Sequence, residues 1–165
     1  MTQLSKIESI HIGRAGESRV CAEMILHGLT PYLPLVDSGI DIIVGESGKR
    51  VQVKSSSKPS YSKKDYSWRY SFSIRQLQFR KGEGGLYKRY HTRKSYDQVD
   101  YFVFCLLEHN QFYVIPESEI GEKVSFCINT PDEIRTYKRN PDFVSKSKYE
   151  KYRNAWHLLG IYATD

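Results

Sequence analysis

Four polar residues in the first third of the chain have types and spacing suited to phosphodiester hydrolysis. Glu17 lies within a run of helical spacing, and Asp41 begins or lies within a short run of β-branched residues. Gln52 and Lys54 stand two residues apart in the next run, so they project from the same face of a strand. If Asp41 lies at the matching end of the neighbouring strand, these groups converge at one edge of a sheet.

Such a set of side chains predicts a hydrolase that depends on Mg²⁺ or Mn²⁺, since hard cations prefer oxygen ligands. We expect Asp41 to be the central ligand and Gln52 a secondary one, with the Val53 carbonyl completing the shell. Glu17 would act directly or through a metal-bound water. The ion would acidify its water and neutralise developing charge, while Lys54 would orient the water or stabilise the transition state.

The same residues also permit an interpretation without catalysis. Asp41 could be a turn residue, Lys54 a solvated charge and Glu17 a helix carboxylate favoured by the dipole. A charged residue that faces the core side of a sheet is rare unless it has a functional role. The position of Lys54 in an otherwise apolar region, beside a basic tract, therefore favours the catalytic interpretation.

The elements that must position these residues can be predicted from hydrophobic spacing. Residues 14 to 28 predict a helix, because apolar residues recur at helical intervals and Gly28 can end it. Residues 31 to 56 predict three strands, YLPLV, IDIIV and RVQVKSS. The short turn GESGK between the last two predicts that they pair antiparallel.

Further strands are predicted by the runs YSWRYSFSI, VDYFVFCLLE, QFYVIP and KVSFCI, with a turn at Glu108-His109-Asn110. The segment SKYEKYRNAWHLL predicts a C-terminal helix ended by Gly160. Within the first of these strands, Trp68, Tyr70 and Phe72 are expected in the core. The predicted fold class is α/β, a mixed β-sheet flanked by the first and last helices.

Composition is typical of one domain spanning residues 1–165. No apolar run approaches the length of a membrane span, and the N-terminus lacks the apolar region of a signal peptide. We therefore expect a cytoplasmic protein without membrane partners. Cys21, Cys105 and Cys127 are odd in number and lie in apolar runs, so we expect reduced core thiols. The five histidines are scattered, with no pair at metal-binding spacing.

Positive charge is concentrated in one stretch. Residues 49 to 94 hold 14 Lys and Arg against two acidic residues, a net charge of +12, whereas the rest of the chain carries −6. Such asymmetry is typical of nucleic-acid binders, although a solvated basic loop is the alternative. We predict a DNA-contacting extension at about residues 57–94, with phosphate contacts from Lys58, Lys63, Lys64, Arg69, Arg75, Arg80, Lys81, Lys88, Arg89, Arg93 and Lys94.

The order of these elements resembles the active-site region of the PD-(D/E)XK nuclease superfamily. In that superfamily a helix bears a Glu, a strand follows with an Asp, and the next strand ends in (D/E)XK. Glu17 in GES, Asp41 in VDSGID and Gln52-Val53-Lys54 match these positions. The downstream run VDYFVFCLLEHNQFYVIPESEI resembles the strand–turn–strand of small members. Together these matches cover roughly half of the chain.

One position departs from the pattern, since Gln52 stands where Asp or Glu is usual. Gln offers a metal an oxygen but no charge. This QxK variant resembles PD-(D/E)XK homing endonucleases encoded by cyanobacterial group I introns. The resemblance implies a restriction-endonuclease-like core, metal-dependent cleavage of double-stranded DNA at specific sites, and assembly into dimers or tetramers. The alternatives are a Holliday-junction resolvase-like nuclease, a non-catalytic DNA-binding protein, and a structural or interaction domain.

Overall fold

The structure is a computed structural model that describes residues 9–35, 39–63, 67–81, 87–93, 98–130 and 149–160. It contains two helices, α1 (Ser9–Leu26) and α2 (Glu117–Ile120). The strands are β1 (Pro31–Tyr32), β2 (Ile42–Val44), β3 (Arg50–Ser56), β4 (Ser60–Ser62), β5 (Ser67–Ser73), β6 (Arg75–Lys81), β7 (Tyr87–Arg93), β8 (Tyr101–Leu106), β9 (Gln111–Pro116) and β10 (Ser125–Asn129). No helix in these ranges is long and apolar enough to cross a membrane.

A mixed five-stranded sheet is the centre of the fold, with the strand order β1-β2-β3-β8-β9. The predicted antiparallel pairing of β2 with β3 is confirmed, as is the hairpin of β8 and β9. Strands β3 and β8 are parallel, with Gln52 opposite Phe102 and Lys54 opposite Phe104. This parallel pair makes the sheet mixed, as the sequence predicted.

The two faces of this sheet are buried by different structures. One face packs against α1, whose buried residues Gly16, Val20 and Met24 recur every four positions. The other face, which carries Phe102 and Phe104, packs against a second sheet of order β10-β5-β4. The sequence predicted helices as the flanking layers and did not predict this second sheet.

The prediction of a C-terminal helix is wrong for the described residues 149–160. They form two 3₁₀ turns, Glu150–Tyr152 and Trp156–Leu159, and Gly160 follows the second. The turns are separated by Asn154, which has a φ of 50° and donates its backbone N–H to the Phe112 carbonyl at 2.8 Å. Pairing with β9 therefore interrupts the segment, although its aromatic residues have helical spacing.

Two expectations about buried residues need correction. All three cysteines are free, but only Cys105 is buried, whereas Cys21 is half-buried and Cys127 is exposed. Cys127 lies opposite Ser71 on the outward face of the second sheet. Burial raises the pKa of Cys105 to about 12, so its thiol stays protonated. Trp68 is also exposed, because it lies near the end of β5, while Tyr70 and Phe72 are buried as expected.

Helix α1 and β3 approach each other closely at a glycine. A Cβ atom built on Gly16 would lie 1.6 Å from Ser55 Oγ and 2.5 Å from Ser55 Cβ. Both distances are far below van der Waals contact, so only glycine lets the helix backbone lie against β3 here. This contact sets the distance between α1 and the strand that carries Gln52 and Lys54.

The parallel register of β3 and β8 is held at one end by an ion pair. Asp100, directly before β8, accepts hydrogen bonds from the Arg50 backbone N–H at 2.8 Å and from the Arg50 guanidinium at 2.9 and 3.0 Å. The hydrogen bonds from the Arg50 side chain are the main cause that lowers the pKa of Asp100. The pair therefore fixes where the two strands begin.

We predict that Gly16→Ala destabilises the protein by roughly 1–3 kcal/mol, because the methyl group displaces α1 from β3. The matched control is Gly13→Ala on the same helix, where no described atom lies within 4 Å of the added Cβ. That variant should be up to about 1 kcal/mol more stable, because alanine favours the helix. Urea denaturation measures both changes. Equal effects of the two substitutions would contradict the close-approach argument.

We predict that Asp100→Asn lowers the urea midpoint at neutral pH and has less effect in acid. A carboxyl whose pKa is lowered by folding contributes stability above its unfolded pKa of about 4, and this contribution is lost as pH falls through the folded value. The difference between wild type and variant should thus shrink below about pH 4. A pH series of urea denaturation tests this, and a constant difference down to acid pH would show that the ion pair is not responsible.

Candidate active site

The predicted convergence of Asp41 and Gln52 is present in the structure. Asp41 directly precedes β2, and its backbone N–H donates to the Val51 carbonyl at 2.9 Å. Its carboxylate oxygen Oδ2 accepts the backbone N–H of Val53 at 2.7 Å and also the side-chain amide of Gln52. These bonds hold the carboxylate at the edge of β3.

Gln52 is a buried polar side chain with only part of its hydrogen-bonding capacity used. It is 7% exposed, and its Nε2 donates to Asp41. Its other amide atom, Oε1, is buried and has no hydrogen-bond partner within the part of the chain that the structure describes. An unsatisfied buried acceptor is costly. A bound cation or a donor at this position would remove that cost.

Lys54 lies on the same face of β3 as Gln52, as predicted. The register places these two residues opposite Phe104 and Phe102, whose side chains belong to the core under the second sheet. Lys54 is half-buried, near the C-terminal end of β3. Its ammonium group is therefore on the side of the central sheet that carries the Gln52 amide.

Glu17 reaches the neighbourhood of β3 from the opposite face of the sheet. It follows Gly16, which contacts Ser55, the residue after Lys54. Its carboxylate pairs with Arg14 at 2.6 Å, and its charge, after burial, helps raise the pKa of Cys21. The structure thus places Glu17 beside the end of β3. Among the described residues its ion pair is with Arg14, not with a residue of the Asp41 group.

The donor set fits a hard cation of the Mg²⁺ type. Asp41 offers a carboxylate, Gln52 offers the buried Oε1, and the Val53 carbonyl lies 3.5 Å from the Gln52 amide nitrogen, whereas Glu17 approaches β3 from the other face of the sheet. Among the described residues, no three or more His, Cys, Asp or Glu side chains lie close enough together to hold a metal ion by themselves. A cation here would depend on amide and carbonyl oxygens as well as the Asp41 carboxylate, which suits Mg²⁺ or Mn²⁺ better than Zn²⁺.

The predicted DNA-contacting residues follow β3 along the chain. Lys58 and Lys63 are exposed on either side of β4, and Arg69 is half-exposed on β5. Strands β6 and β7 form a two-stranded ribbon that carries Arg75, Arg80, Lys81, Lys88, Arg89 and Arg93. Lys64 and Lys94 lie outside the described residues.

The register of this ribbon places cationic residues opposite each other. Arg75 pairs with Arg93, and Arg80 pairs with Lys88. Like charges at opposed positions of a ladder are unfavourable unless an anion neutralises them. These opposed cationic positions are among those predicted from the sequence to contact DNA.

Sequence reasoning missed two features of this region. One is Ser55, whose buried Oγ faces Gly16 and lacks a hydrogen-bond partner among the described residues. The glycine in GES, at the centre of a helix, was the available signal of a close approach. The other is the exposure of Trp68, which the alternating pattern of β5 predicted to be buried.

The fold is similar to that of a solved protein described as a bacterial homing endonuclease, I-Ssp6803I. The TM-score is 0.62 and the identity 22%, and the match covers 93% of this chain and 93% of that chain. No protein-family model and no curated protein matches the sequence. The expected mixed α/β architecture and the resemblance to homing endonucleases are confirmed at the level of the fold.

We predict that Gln52→Glu destabilises the protein in EDTA and that Mg²⁺ reverses the loss. A second buried carboxylate beside Asp41 should cost roughly 1–4 kcal/mol, because like charges and burial both disfavour ionisation. An ion bound between the two groups neutralises them and stabilises the folded state. Thermal unfolding with EDTA and with saturating Mg²⁺ measures both effects.

The matched control is Gln111→Glu at the start of β9. Gln111 is half-buried, and its Oε1 likewise has no hydrogen-bond partner among the described residues. This variant should lose stability without recovery in Mg²⁺. Equal responses of the two variants to Mg²⁺ would contradict a cation site at Gln52.

Proposed function

We propose that the chain is a DNA endonuclease that hydrolyses phosphodiester bonds with Mg²⁺ or Mn²⁺, and that it acts at specific sites as a homing-type enzyme. The observation that carries this proposal is the Asp41 carboxylate, fixed by the Val53 N–H and beside a Gln52 oxygen that has no hydrogen-bond partner among the described residues. The likeness to a solved homing endonuclease supports it. The resemblance of GES, VDSGID and QVK to the PD-(D/E)XK pattern supports the same activity.

Each residue has a defined role in this proposal. Asp41 is the main metal ligand, and the Val53 N–H keeps one of its oxygens oriented. Gln52 Oε1 and the Val53 carbonyl add neutral oxygens. When bound, the ion supplies an acidified water and charge neutralisation at the phosphate. Lys54 orients the attacking water or stabilises the negative charge of the transition state.

Glu17 acts in this scheme directly or through a metal-bound water. Its ion-pair partner Arg14 is 79% exposed, although Glu17 itself is 21% exposed, and ion pairs with such exposed partners are weak. The Glu17 carboxylate can therefore exchange Arg14 for a metal-bound water or for the cation itself. Its position beside Gly16, on the helix that contacts β3, supports this role.

Double-stranded DNA is the proposed partner. The tract from residue 49 to 94 carries a net charge of +12 and begins on the strands that carry the site. Beyond β3 its described cations lie on either side of β4 and on β5, β6 and β7, and Lys58, which follows β3 directly, would contact phosphate near the end of that strand. Cutting two strands needs two active sites, or one used twice, which supports a dimer or tetramer.

A non-catalytic DNA-binding protein is the second candidate, and one observation favours it. Gln52 is neutral where a carboxylate would strengthen metal binding, and its amide donates a hydrogen bond to Asp41. In that case the basic tract would bind DNA, and the Asp41 group would have a structural role only.

We predict that the protein cuts plasmid DNA in Mg²⁺ and that Asp41→Ala and Lys54→Ala each slow cutting at least about 100-fold. Asp41→Ala removes the central metal ligand, and Lys54→Ala removes the positive charge that stabilises the transition state. DNA affinity in EDTA should persist in both. Lys151→Ala is the matched control, because Lys151 is exposed on the first 3₁₀ turn. This variant should cut DNA normally.

The substrate separates the proposed subclasses in the same assay. Discrete fragments from linear duplex support a site-specific homing-type enzyme, whereas cutting confined to four-way junctions supports a resolvase-like nuclease. Unaltered cutting by both site variants would refute the site assignment. Binding without cutting, and without Mg²⁺ uptake in calorimetry, would establish the non-catalytic candidate.

A further inference from the structure

Two exposed aromatic residues form a pair on the second sheet. Tyr61 on β4 lies opposite Trp68 on β5, with ring centroids 5.5 Å apart and an interplanar angle of 60°. Their exposures are 48% and 50%. The rings thus meet in an edge-to-face manner, and about half of each residue's surface faces solvent.

The pair lies beyond the C-terminal end of β3. Two residues after Trp68, the Tyr70 hydroxyl bonds His109 Nδ1 at 2.6 Å, and His109 lies in the turn that follows β8. Strand β3 ends beside the end of β8, because Ser56 is opposite Leu106. Phe72, further along β5, packs against Phe104 within β8, so residues before Tyr70 on β5 extend past the end of both strands.

The sequence connection gives the same placement. Only residues 57–59 separate the end of β3 at Ser56 from the start of β4 at Ser60, and Tyr61 is the second residue of β4. A chain leaving Lys54 along β3 thus reaches the aromatic pair within a few residues. The pair lies at the end of the strand that carries the candidate active site.

The charged residues described beside the pair are cations, and Asp65, which lies between β4 and β5 in the chain, is outside the described residues. Lys58 and Lys63 are exposed on either side of β4, and Arg69 follows Trp68 in the chain. Neither residues 55–63 nor residues 67–74 contain an Asp or Glu. Exposed rings flanked by cations are suited to binding a nucleic-acid strand, because its bases can stack on aromatic side chains and its phosphates can contact Lys and Arg.

We propose that Tyr61 and Trp68 form a contact surface for an unstacked DNA base beyond the C-terminal end of β3. The inference rests on the proposed function only in taking DNA as the partner. In an intact duplex each base is covered by its neighbours, so a face-on ring contact requires a base that has left the stack. The surface therefore makes binding depend on bases as well as on phosphates.

The test compares two single-stranded oligonucleotides of equal length and charge, one with bases and one made entirely of abasic sites. Binding is measured in EDTA, so that it does not depend on cleavage. The base-containing strand should bind about 5- to 100-fold more tightly, which is the range for stacking of one base. Trp68→Ala and Tyr61→Ala should reduce this preference, and Trp68→Phe, which keeps a ring, should retain most of it.

Tryptophan fluorescence supplies a second measurement that tests contact directly. The chain has two tryptophans, and Trp156 is 2% exposed, packed between Phe112 and His27. Quenching by the base-containing strand should persist in Trp156→Phe and vanish in Trp68→Phe. Tyr32→Ala is the matched control for loss of an exposed aromatic, since Tyr32 lies on β1 and is 58% exposed.

Equal affinity of the wild-type protein for the two strands would overturn the proposal, as would equal weakening of both by Trp68→Ala. A change of oligomeric state in Trp68→Ala without any base preference in the wild type would also overturn it and indicate a contact between copies. The outcome is distinguishable from failure of the nuclease proposal. If the protein never cuts DNA but shows base-dependent quenching, the base-contact proposal stands and the nuclease proposal fails. If the protein cuts DNA without any base preference, the nuclease proposal stands and the base-contact proposal fails.

Discussion

The candidate site depends on one hydrogen bond at the end of a strand pair. Strand β2 begins at Ile42, opposite Val51, so the backbone N–H of Val53 has no β2 residue to pair with. The Asp41 carboxylate accepts this N–H at 2.7 Å, in place of the next bond of the ladder. A buried backbone N–H must be satisfied. The position of the carboxylate is therefore a consequence of where the strand pairing ends.

The contacts around β3 keep this geometry in place from several directions. Arg50 and Asp100 fix the beginning of the parallel pair, and Gly16 lets α1 lie directly on Ser55. At the β2–β3 turn, Lys49 donates to the carbonyls of Leu158 and Gly160 at 2.8 and 3.1 Å. Because both faces and both neighbours of β3 are occupied, its side chains have little freedom to move. A rigid strand of this kind can hold reactive groups in one arrangement.

Local sequence signals predicted the centre of this fold and missed much of what surrounds it. Strands β2 and β3 and the meeting of Asp41 with Gln52 followed from alternation and a short turn, since both depend on neighbouring residues. The second sheet could not be predicted in the same way, because β5 pairs with β10, more than fifty residues later. The C-terminal turns depend on Asn154 bonding to β9, which overrides a helical spacing of aromatics. Trp68 has the alternation of a core residue, but its exposure depends on where the opposing sheet ends.

The neutral side chain at position 52 is consistent with its surroundings. A carboxylate buried beside Asp41 would be stable only with a cation always bound, because two adjacent negative charges in a desolvated position repel each other. Gln52 instead donates to Asp41, so the group is held together by its own hydrogen bonds when no ion is present. The unpartnered Oε1 still offers an oxygen to an incoming cation. Under the proposed function, with one fewer anionic ligand, the charge of the DNA phosphate would be a larger part of what holds the ion. Metal binding and DNA binding would then reinforce each other at this strand end.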